Sequence, residues 1–477
     1  MTGSIGIVWL RRELRLDDNP ALSQAVNECD QVIVLYILDD SGPFALGAAS
    51  KWWLHHSLTD LKRAIEARGG QLTLRRGDSA TILKQLVSET DNPRVYWNRR
   101  YDPYGIEVDT ELKAFLEAAG VPTFSFNGAL LREPWELTTK AGSFFKVFTP
   151  FWRTLKETGP ARTALPAPSK IESPSSNSDD LDYWGLLPRR PNWAREFPNY
   201  WSPGEAGASD RLDAFLERAA TGYSDNRNRP DMEGTSGLSP HLAFGEISPL
   251  RIWDESFAAM ERGQASNDGI FVFLSEIAWR EFSYNLLFHY PEIHCRPIKD
   301  QFESFDWIDD DENFRRWTRG ETGVPIVDAG MRQLWRTGWM HNRVRMIVAS
   351  FLTKNLLIHW TRGERWFWDT LVDADPASNS ASWQWVAGSG ADAAPYFRIF
   401  NPITQSQKFD PNGDYIRKFV PELNAFPARH VHAPHSAPAL ALKAEGVDTP
   451  ASYPAPIVDL GFSRKRALER YNDMRKS

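Results

Sequence analysis

Five short β-branched or aromatic runs alternate with helical patterns over the first 130 residues, and this alternation does not persist along the chain. The runs are Ile5–Leu10, Gln31–Leu38, Gln71–Arg75, Arg94–Trp97 and Pro122–Phe126. Helices are expected between them, near Pro20–Val26, Ala49–Ala67, Ser79–Ser88 and Tyr104–Ala119. Strands separated by helices have room for crossovers, so the pattern predicts a parallel five-stranded, Rossmann-like α/β sheet covered by helices on both faces. Such a sheet takes ligands beyond the carboxyl ends of its strands, at the switch point. No G-x-G-x-x-G follows the first strand, because Gly3 and Gly6 lie before and within it, and this disfavours a dinucleotide there.

The pattern then changes twice. Residues 131–204 carry eight prolines between Pro160 and Pro203 and the polar run Ser173-Pro174-Ser175-Ser176-Asn177-Ser178-Asp179-Asp180, which reads as a connector that wraps or partly frays. Within it, Phe144–Trp152 is apolar enough to pack the connector on a domain. From 205 to 477 helical periodicity dominates, at Asp210–Ala220, Pro249–Ala258, Gly269–Tyr290, Ala329–Gly338, Arg343–Leu357, Glu364–Asp373 and Phe462–Met474. An all-α domain is expected there. At 477 residues and 42% apolar content, two or three domains are expected.

Composition excludes several classes. Cys29 and Cys295 provide neither a disulfide framework nor a cysteine metal site, which suits a reducing cytoplasm. No signal-peptide pattern and no membrane-spanning apolar run is present, so a soluble cytoplasmic monomer is expected. A formal charge of −7 means that any contact with nucleic acid must come from a local basic face. Nine of the 20 tryptophans, however, fall between Trp307 and Trp385.

Four stretches carry the chemistry. Asp373–Pro402, DADPASNSASWQWVAGSGADAAPYFRIFNP, gathers the carboxylates of Asp373 and Asp375, the amide of Asn379, two indoles, a Gly-rich turn and an aromatic exit. Asp375 and Asn379 share a helical face if the helix has begun there, and an acid beside an amide suits a heterocycle edge of donors and acceptors. An N-cap at Asp375 or Ser378 is the other reading. Tyr223-Ser224-Asp225-Asn226-Arg227-Asn228-Arg229-Pro230 leads into Gly234-Thr235-Ser236-Gly237-Leu238-Ser239-Pro240, a turn rich in N–H and hydroxyl donors that either cradles phosphate or is a plain capped loop. In Ser275–Phe282, Glu276, Trp279 and Arg280 lie at i, i+3 and i+4, placed for a flat polar base or for a simple Glu276–Arg280 pair. In Asn342-Arg343-Val344-Arg345-Met346, Asn342, Arg345 and Met346 face one way and Arg343 another.

Asp373–Pro402, together with Trp339-Met340-His341-Asn342-Arg343-Val344-Arg345-Met346, resembles the flavin domain of the DNA photolyase/cryptochrome family, closest to its cyclobutane pyrimidine dimer photolyases. The resemblance runs over nearly the whole chain and implies FAD as cofactor. Tyr223, Thr235, Ser236, Gly237, Leu238 and Ser239 would hold its pyrophosphate side, with support from Arg280. Arg345 paired with Asp373, Asp375 and Asn379 would surround the flavin ring, Asn379 near N5. Glu276 would hydrogen-bond the damaged base, Trp279 and Trp385 would pack on the flipped dimer, and Asn342 and Met346 would touch it. Arg227 and Arg343 would meet the DNA backbone, with Arg398 and Lys408 as further candidates. Trp307, Trp360 and Trp383 match the family's electron relay, while His341 is expected to be structural.

The implied reaction is light-driven repair of UV-damaged DNA by a carbon–carbon lyase, with no net redox change. Relatives that repair (6-4) photoproducts typically place histidines where Asn342 and Met346 stand, which favours the cyclobutane lesion. Plant cryptochromes tend to carry Asp, and insect ones Cys, where Asn379 stands. A cryptochrome-like photoreceptor, a (6-4) photolyase and another kind of flavin oxidoreductase are the competing readings; DNA repair in light, or NADH turnover, separates them. The family also implies an N-terminal antenna domain (1–130), where Trp97–Tyr104 looks family-like. Ile106 and Val108 replace polar residues there, and Ile293 and His294 stand where folate-binding relatives carry a Cys-Lys pair. The second chromophore, of deazaflavin, folate or flavin type, is left open.

Overall fold

The computed structural model describes residues 3–392, 397–444, 446–447 and 453–476. Its strands β1 (Ile5–Leu10), β2 (Gln31–Leu38), β3 (Leu72–Arg76), β4 (Pro93–Asn98) and β5 (Thr123–Phe126) form one parallel sheet in the order β3-β2-β1-β4-β5. Ile7 aligns with Ile33 on one side and Val95 on the other. Ile7, Trp9, Ile33, Leu35, Val95 and Trp97 pack one face against Leu83, Leu86, Leu112 and Leu116. Val8, Leu10 and Val34 are buried too, on the opposite face of their strands. Both faces are covered, as a parallel sheet requires.

The intervening helices α1 (Pro20–Glu28), α2 (Ala48–Glu66), α3 (Ser79–Glu89) and α4 (Pro103–Ala118) begin where local chemistry starts them. Asn19, Asp78 and Asp102 each accept a backbone N–H of the first turn, and proline follows Asn19 and Asp102. The strand order reverses between β1 and β4, and at their carboxyl ends lies a cleft lined by Trp9, Arg11, Asp39, Arg100, Tyr104 and Val108 among others.

The connector's serine run wraps rather than frays. Ser173 Oγ accepts from Gln71 N and donates to Val32 O, while Ser178 Oγ accepts from Leu74 N. Ser178 thus satisfies a backbone group of the outer strand β3, which would otherwise present an open edge, and Ser173 ties Gln71, just before β3, to Val32 of β2. Further on, α5 (Phe148–Thr158) turns Phe148, Phe151 and Leu155 inward.

The chain packs into two compact units. The first comprises 1–221, 236–291 and 372–377 and holds the sheet with helices Glu205–Arg218, Pro249–Glu261 and Asn267–His289. The second comprises 222–235, 292–371 and 378–477 and has no strand among its described residues. Its helices include Pro325–Thr337, Asn342–Ser350, Trp360–Thr370 and Leu460–Met474, and it takes most of Pro376–Ala387. The single helix expected over Arg343–Leu357 is α-helical only to Ser350. It passes into a π turn at Phe351–Asn355, where Leu356 N donates to Phe351 O and the fully buried Lys354 donates to Ala387 O.

Candidate active site

In the first unit, helix Asn267–His289 starts at Ser266, which accepts from Gly269 N, and buries Ile277, Ala278 and Phe282. Glu276, Trp279 and Arg280 are half-buried on it. Trp279 stacks face to face on Phe148, centroids 3.8 Å apart at 9°, so one face of the indole is already covered. Arg280 Nη1 donates to Ala129 O at 2.8 Å, and its guanidinium lies 4.8 Å above the Tyr284 ring. Its ion pair is made with Glu281 at 3.5 Å, a residue that spacing alone passed over.

Glu281 is buried, and its Oε2 accepts from Leu131 N at 2.8 Å and Arg132 N at 3.3 Å. Burial pushes its carboxyl up to about 7, against the pull of Arg280 and these two amides. A carboxyl raised on folding stabilises the fold below its unfolded value, and that stability is lost as pH rises through about 7. The raise from 4.5 to about 7 corresponds to about 3 kcal/mol. Glu281→Gln is therefore expected to flatten the fall in stability between about pH 5 and 8, as read by urea denaturation; an unchanged slope would assign the fall elsewhere.

Asp375 fulfils the capping alternative through Oδ1. Its Oδ1 accepts from Ala377 N at 3.1 Å, while Oδ2 accepts from Tyr284 Oη at 2.6 Å. Asp373 is buried nearby in sequence. At the glycine turn, Gly237 has φ +65°, and an added Cβ would lie 2.6 Å from Arg211 Nη1. Arg211 in turn covers Trp201 at 4.5 Å. The turn thus has a cation beside it that the amphipathic pattern of helix Glu205–Arg218 does not reveal.

The second unit carries the other candidates. His341 caps helix Asn342–Ser350 through Nδ1, which accepts from Arg343 N at 3.2 Å. A cap needs a neutral imidazole; burial, with Arg343 and Arg345 adding, lowers this one to about 3. The structural role expected for His341 is the one found. Asn342 is exposed on this helix, with Arg345 and Met346 half-buried. Arg345 Nε donates to Met340 O at 2.7 Å.

Arg343 points elsewhere, as its position predicts. Its Nε and Nη2 donate to Asn228 Oδ1 at 3.2 and 2.7 Å, and its guanidinium lies 4.5 Å from the centre of the Phe409 ring, which Lys408 Nζ also approaches, at 5.2 Å. Arg227, next to Asn228, covers the buried Tyr223 at 5.8 Å. Arg227, Arg343 and Lys408 are thereby linked through Asn228 and Phe409, whereas Arg398 lies over Phe400. Thr235 belongs to the same unit and is half-buried, while Ser236, Gly237, Leu238 and Ser239 belong to the first.

Asn379 is buried, and its Nδ2 donates to the backbone and side-chain oxygens of Glu364. The relay candidates gather around helix Trp360–Thr370. The Trp307 ring is 5.1 Å from His359, and that imidazole is 5.7 Å from Trp360. Trp383 lies over Gly363, where a Cβ would come within 2.1 Å of its ring. Trp385 is half-buried, and Tyr396, in the aromatic exit, lies outside the described residues.

Residues 6–169 match the model of the DNA photolyase family, and residues 273–473 match its FAD binding domain. The chain is 53% identical to a deoxyribodipyrimidine photo-lyase of Agrobacterium fabrum over 474 residues, covering 99% of this chain and 98% of the relative. This chain belongs to the DNA photolyase family. Its likeness to the crystal structure of a bacterial class III photolyase from Agrobacterium tumefaciens reaches a TM-score of 0.96 at 51% identity, covering 100% and 99% of the two chains. Cryptochrome-1 of Arabidopsis thaliana, at 37% identity, is covered over 71% of its length.

The photolyase cofactor is FAD, and the donor set fits it. Reduced flavin needs an acceptor for its N5–H, and the Asn379 carbonyl, whose NH2 is taken by Glu364, is an acceptor that could serve. Phosphates need donors and positive charge, which the Gly237 turn and Arg211 bring together. Among the described residues no cluster could hold a metal ion, and no helix is long and apolar enough to cross a membrane.

Proposed function

We propose that this enzyme is a light-dependent DNA repair lyase that splits cyclobutane pyrimidine dimers in UV-damaged DNA. The observation that carries this reading is Trp279, backed on one face by Phe148 and followed along its helix by Arg280 with Glu276 one turn earlier. A flat wall with a polar neighbour suits a base pair that has left the stack, and damaged pairs stack poorly enough to leave at low cost. When bound and excited, FAD supplies the electron that opens the dimer and receives it back.

The residues divide the remaining work. Glu276 hydrogen-bonds the damaged base, Trp279 and Trp385 pack on it, and Asn342 and Met346 touch it from the His341-capped helix. Asn379, Asp373, Asp375 and Arg345 orient the flavin; Tyr223, Arg280 and the 235–239 turn hold its phosphate side. Trp307, Trp360 and Trp383 carry electrons inward to restore the reduced cofactor. The neutral amide at Asn379 and the absence of imidazoles at 342 and 346 favour dimer repair over signalling or (6-4) repair. We assign 1–130 to an antenna domain, with the β1/β4 cleft as the place of a second chromophore, 131–204 to the connector and 205–477 to the FAD domain. A monomer in a reducing cytoplasm suits the two free thiols.

Purified protein should contain FAD and, once reduced, restore thymine dimers to monomers under blue light. FAD-containing protein that leaves dimers intact would move the reading to a photoreceptor. On the DNA side, Arg343→Ala should weaken binding at all sequences alike and lower the salt slope of log Kd by about 1. An unchanged slope would remove Arg343 from the phosphate contacts.

A further inference from the structure

Arg280 and Asp375, which the proposed function places at different ends of the cofactor, meet on one side chain of the first unit. The Arg280 guanidinium lies 4.8 Å from the centre of the Tyr284 ring, and the hydroxyl of that ring donates to Asp375 Oδ2 at 2.6 Å. Each partner is held on a second side as well. Arg280 Nη1 donates to Ala129 O at 2.8 Å, and Asp375 Oδ1 accepts from Ala377 N at 3.1 Å. Tyr284 is buried on helix Asn267–His289 one turn past Arg280, with Tyr101 edge-on to its ring at 6.3 Å and 81°. Tyr101 is fixed in turn, since its hydroxyl donates to Glu133 Oε1 at 2.9 Å. Burial, with Asp375 adding and Arg280 and Arg12 opposing, raises the Tyr284 hydroxyl far above its ordinary value, so the phenol keeps its proton and is the donor.

We propose that Tyr284 is a positioning residue for FAD: its ring seats Arg280 on the phosphate side, its hydroxyl seats Asp375 on the flavin side, and one side chain thereby sets the spacing between the two. The proposal rests on the reading of Arg280 and Asp375 as FAD residues. Its two halves are chemically separable. An aromatic face attracts a cation whether or not it carries a hydroxyl, so phenylalanine retains the seat of Arg280. Only the hydroxyl holds Asp375, and a hydrogen bond to a carboxylate is about twice as strong as one between neutral groups. That bond also draws part of the carboxylate's negative charge toward the phenol. Without it Asp375 acts on the flavin with more of its charge, which disfavours the electron-rich reduced ring.

The test follows two quantities in the FAD-loaded protein: the rate of FAD release, read by flavin fluorescence, and the ratio of reduced to oxidised flavin at a fixed potential and pH. The proteins compared are wild type, Tyr284→Phe, Tyr284→Leu, Asp375→Asn and the variant carrying both Tyr284→Phe and Asp375→Asn. Tyr284→Phe should release FAD about tenfold faster and lower the ratio about fivefold. Tyr284→Leu lacks the aromatic face too and should release FAD about fivefold faster again. Where Asp375→Asn is already present, adding Tyr284→Phe should move the ratio by less than about twofold, because no carboxylate is left for the hydroxyl to temper. A residue that only filled space would not show this dependence on Asp375. A ratio unchanged in Tyr284→Phe overturns the proposal, whether or not the leucine and asparagine variants can be loaded with FAD, and so does an equal fall in both backgrounds. Wild-type release rates in both Arg280→Ala and Asp375→Asn overturn instead the placement of those two residues on FAD.

Discussion

Replacing Glu276 by alanine is expected to lower the yield of dimer splitting per absorbed photon by about tenfold or more, while dimer affinity changes by less than about threefold. The asymmetry follows from what each part of the site touches. On the proposed reading, affinity would come from phosphate contacts and from stacking on indoles, and Arg227, Arg343, Trp279 and Trp385 all remain in the variant. Splitting depends on negative charge that exists on the dimer only after the electron arrives. A hydrogen bond to a charged group is worth about 1.5–3 kcal/mol, more than one to its neutral form. In the proposed role, Glu276 would act where charge develops and contribute little to the ground state. Glu276→Gln places an amide donor at the same position and should lose less than Glu276→Ala. The measurement is monomer yield against photon dose, beside titration of a dimer-containing oligonucleotide. Equal losses in yield and affinity would make Glu276 a binding residue only.

The sequence shows some of this site and conceals the rest for a physical reason. The strands stand within two residues of where their apolar runs place them, because a sheet buried on both faces concentrates β-branched and aromatic side chains. Helix starts are equally plain where Asn19-Pro20 and Asp102-Pro103 write them into the chain. The motif around Asn342 separates Arg343 from Arg345 by helical geometry alone, and the structure sends their guanidiniums to different partners.

What was missed depends on partners remote along the chain or on another element. The serine run has the composition of a loose linker, yet its hydroxyls hydrogen-bond strand residues about a hundred positions away. Glu281 reads as an ordinary helical acid until its carboxyl meets the amides of Leu131 and Arg132. Glu364 is only 15 residues from Asn379, but the two lie on different helices, and no periodicity links them. Phe148 and Arg211 belong to amphipathic helices whose pattern says which face is buried, not against what. The π turn at Phe351–Asn355 leaves the apolar pattern of its helix continuous, so it escapes periodicity as well.

The second large effect concerns how the cofactor becomes reduced. Trp307→Phe should slow photoreduction of oxidised FAD in the presence of a thiol by about tenfold or more, since each 1.4 kcal/mol added to a barrier costs about a factor of ten. Phenylalanine fills most of the indole's place between Phe305 and His359 but is far harder to oxidise. Protein reduced chemically beforehand should still repair with the wild-type yield, because the electron that splits the dimer never passes through this residue. Trp366→Phe provides the contrast. Trp366 stacks on Trp335 at 6.3 Å and 10°, and as a packing aromatic it should leave photoreduction unchanged. Equal slowing by both substitutions would mean that the rate follows aromatic packing in general rather than a defined route. Lost repair in chemically reduced Trp307→Phe would place Trp307 in the scaffold of the site. The geometry argues for the route: His359 touches both Trp307 and Trp360, and Trp383 rests on the bare Gly363 of the same helix, so three indoles are held by one rigid element.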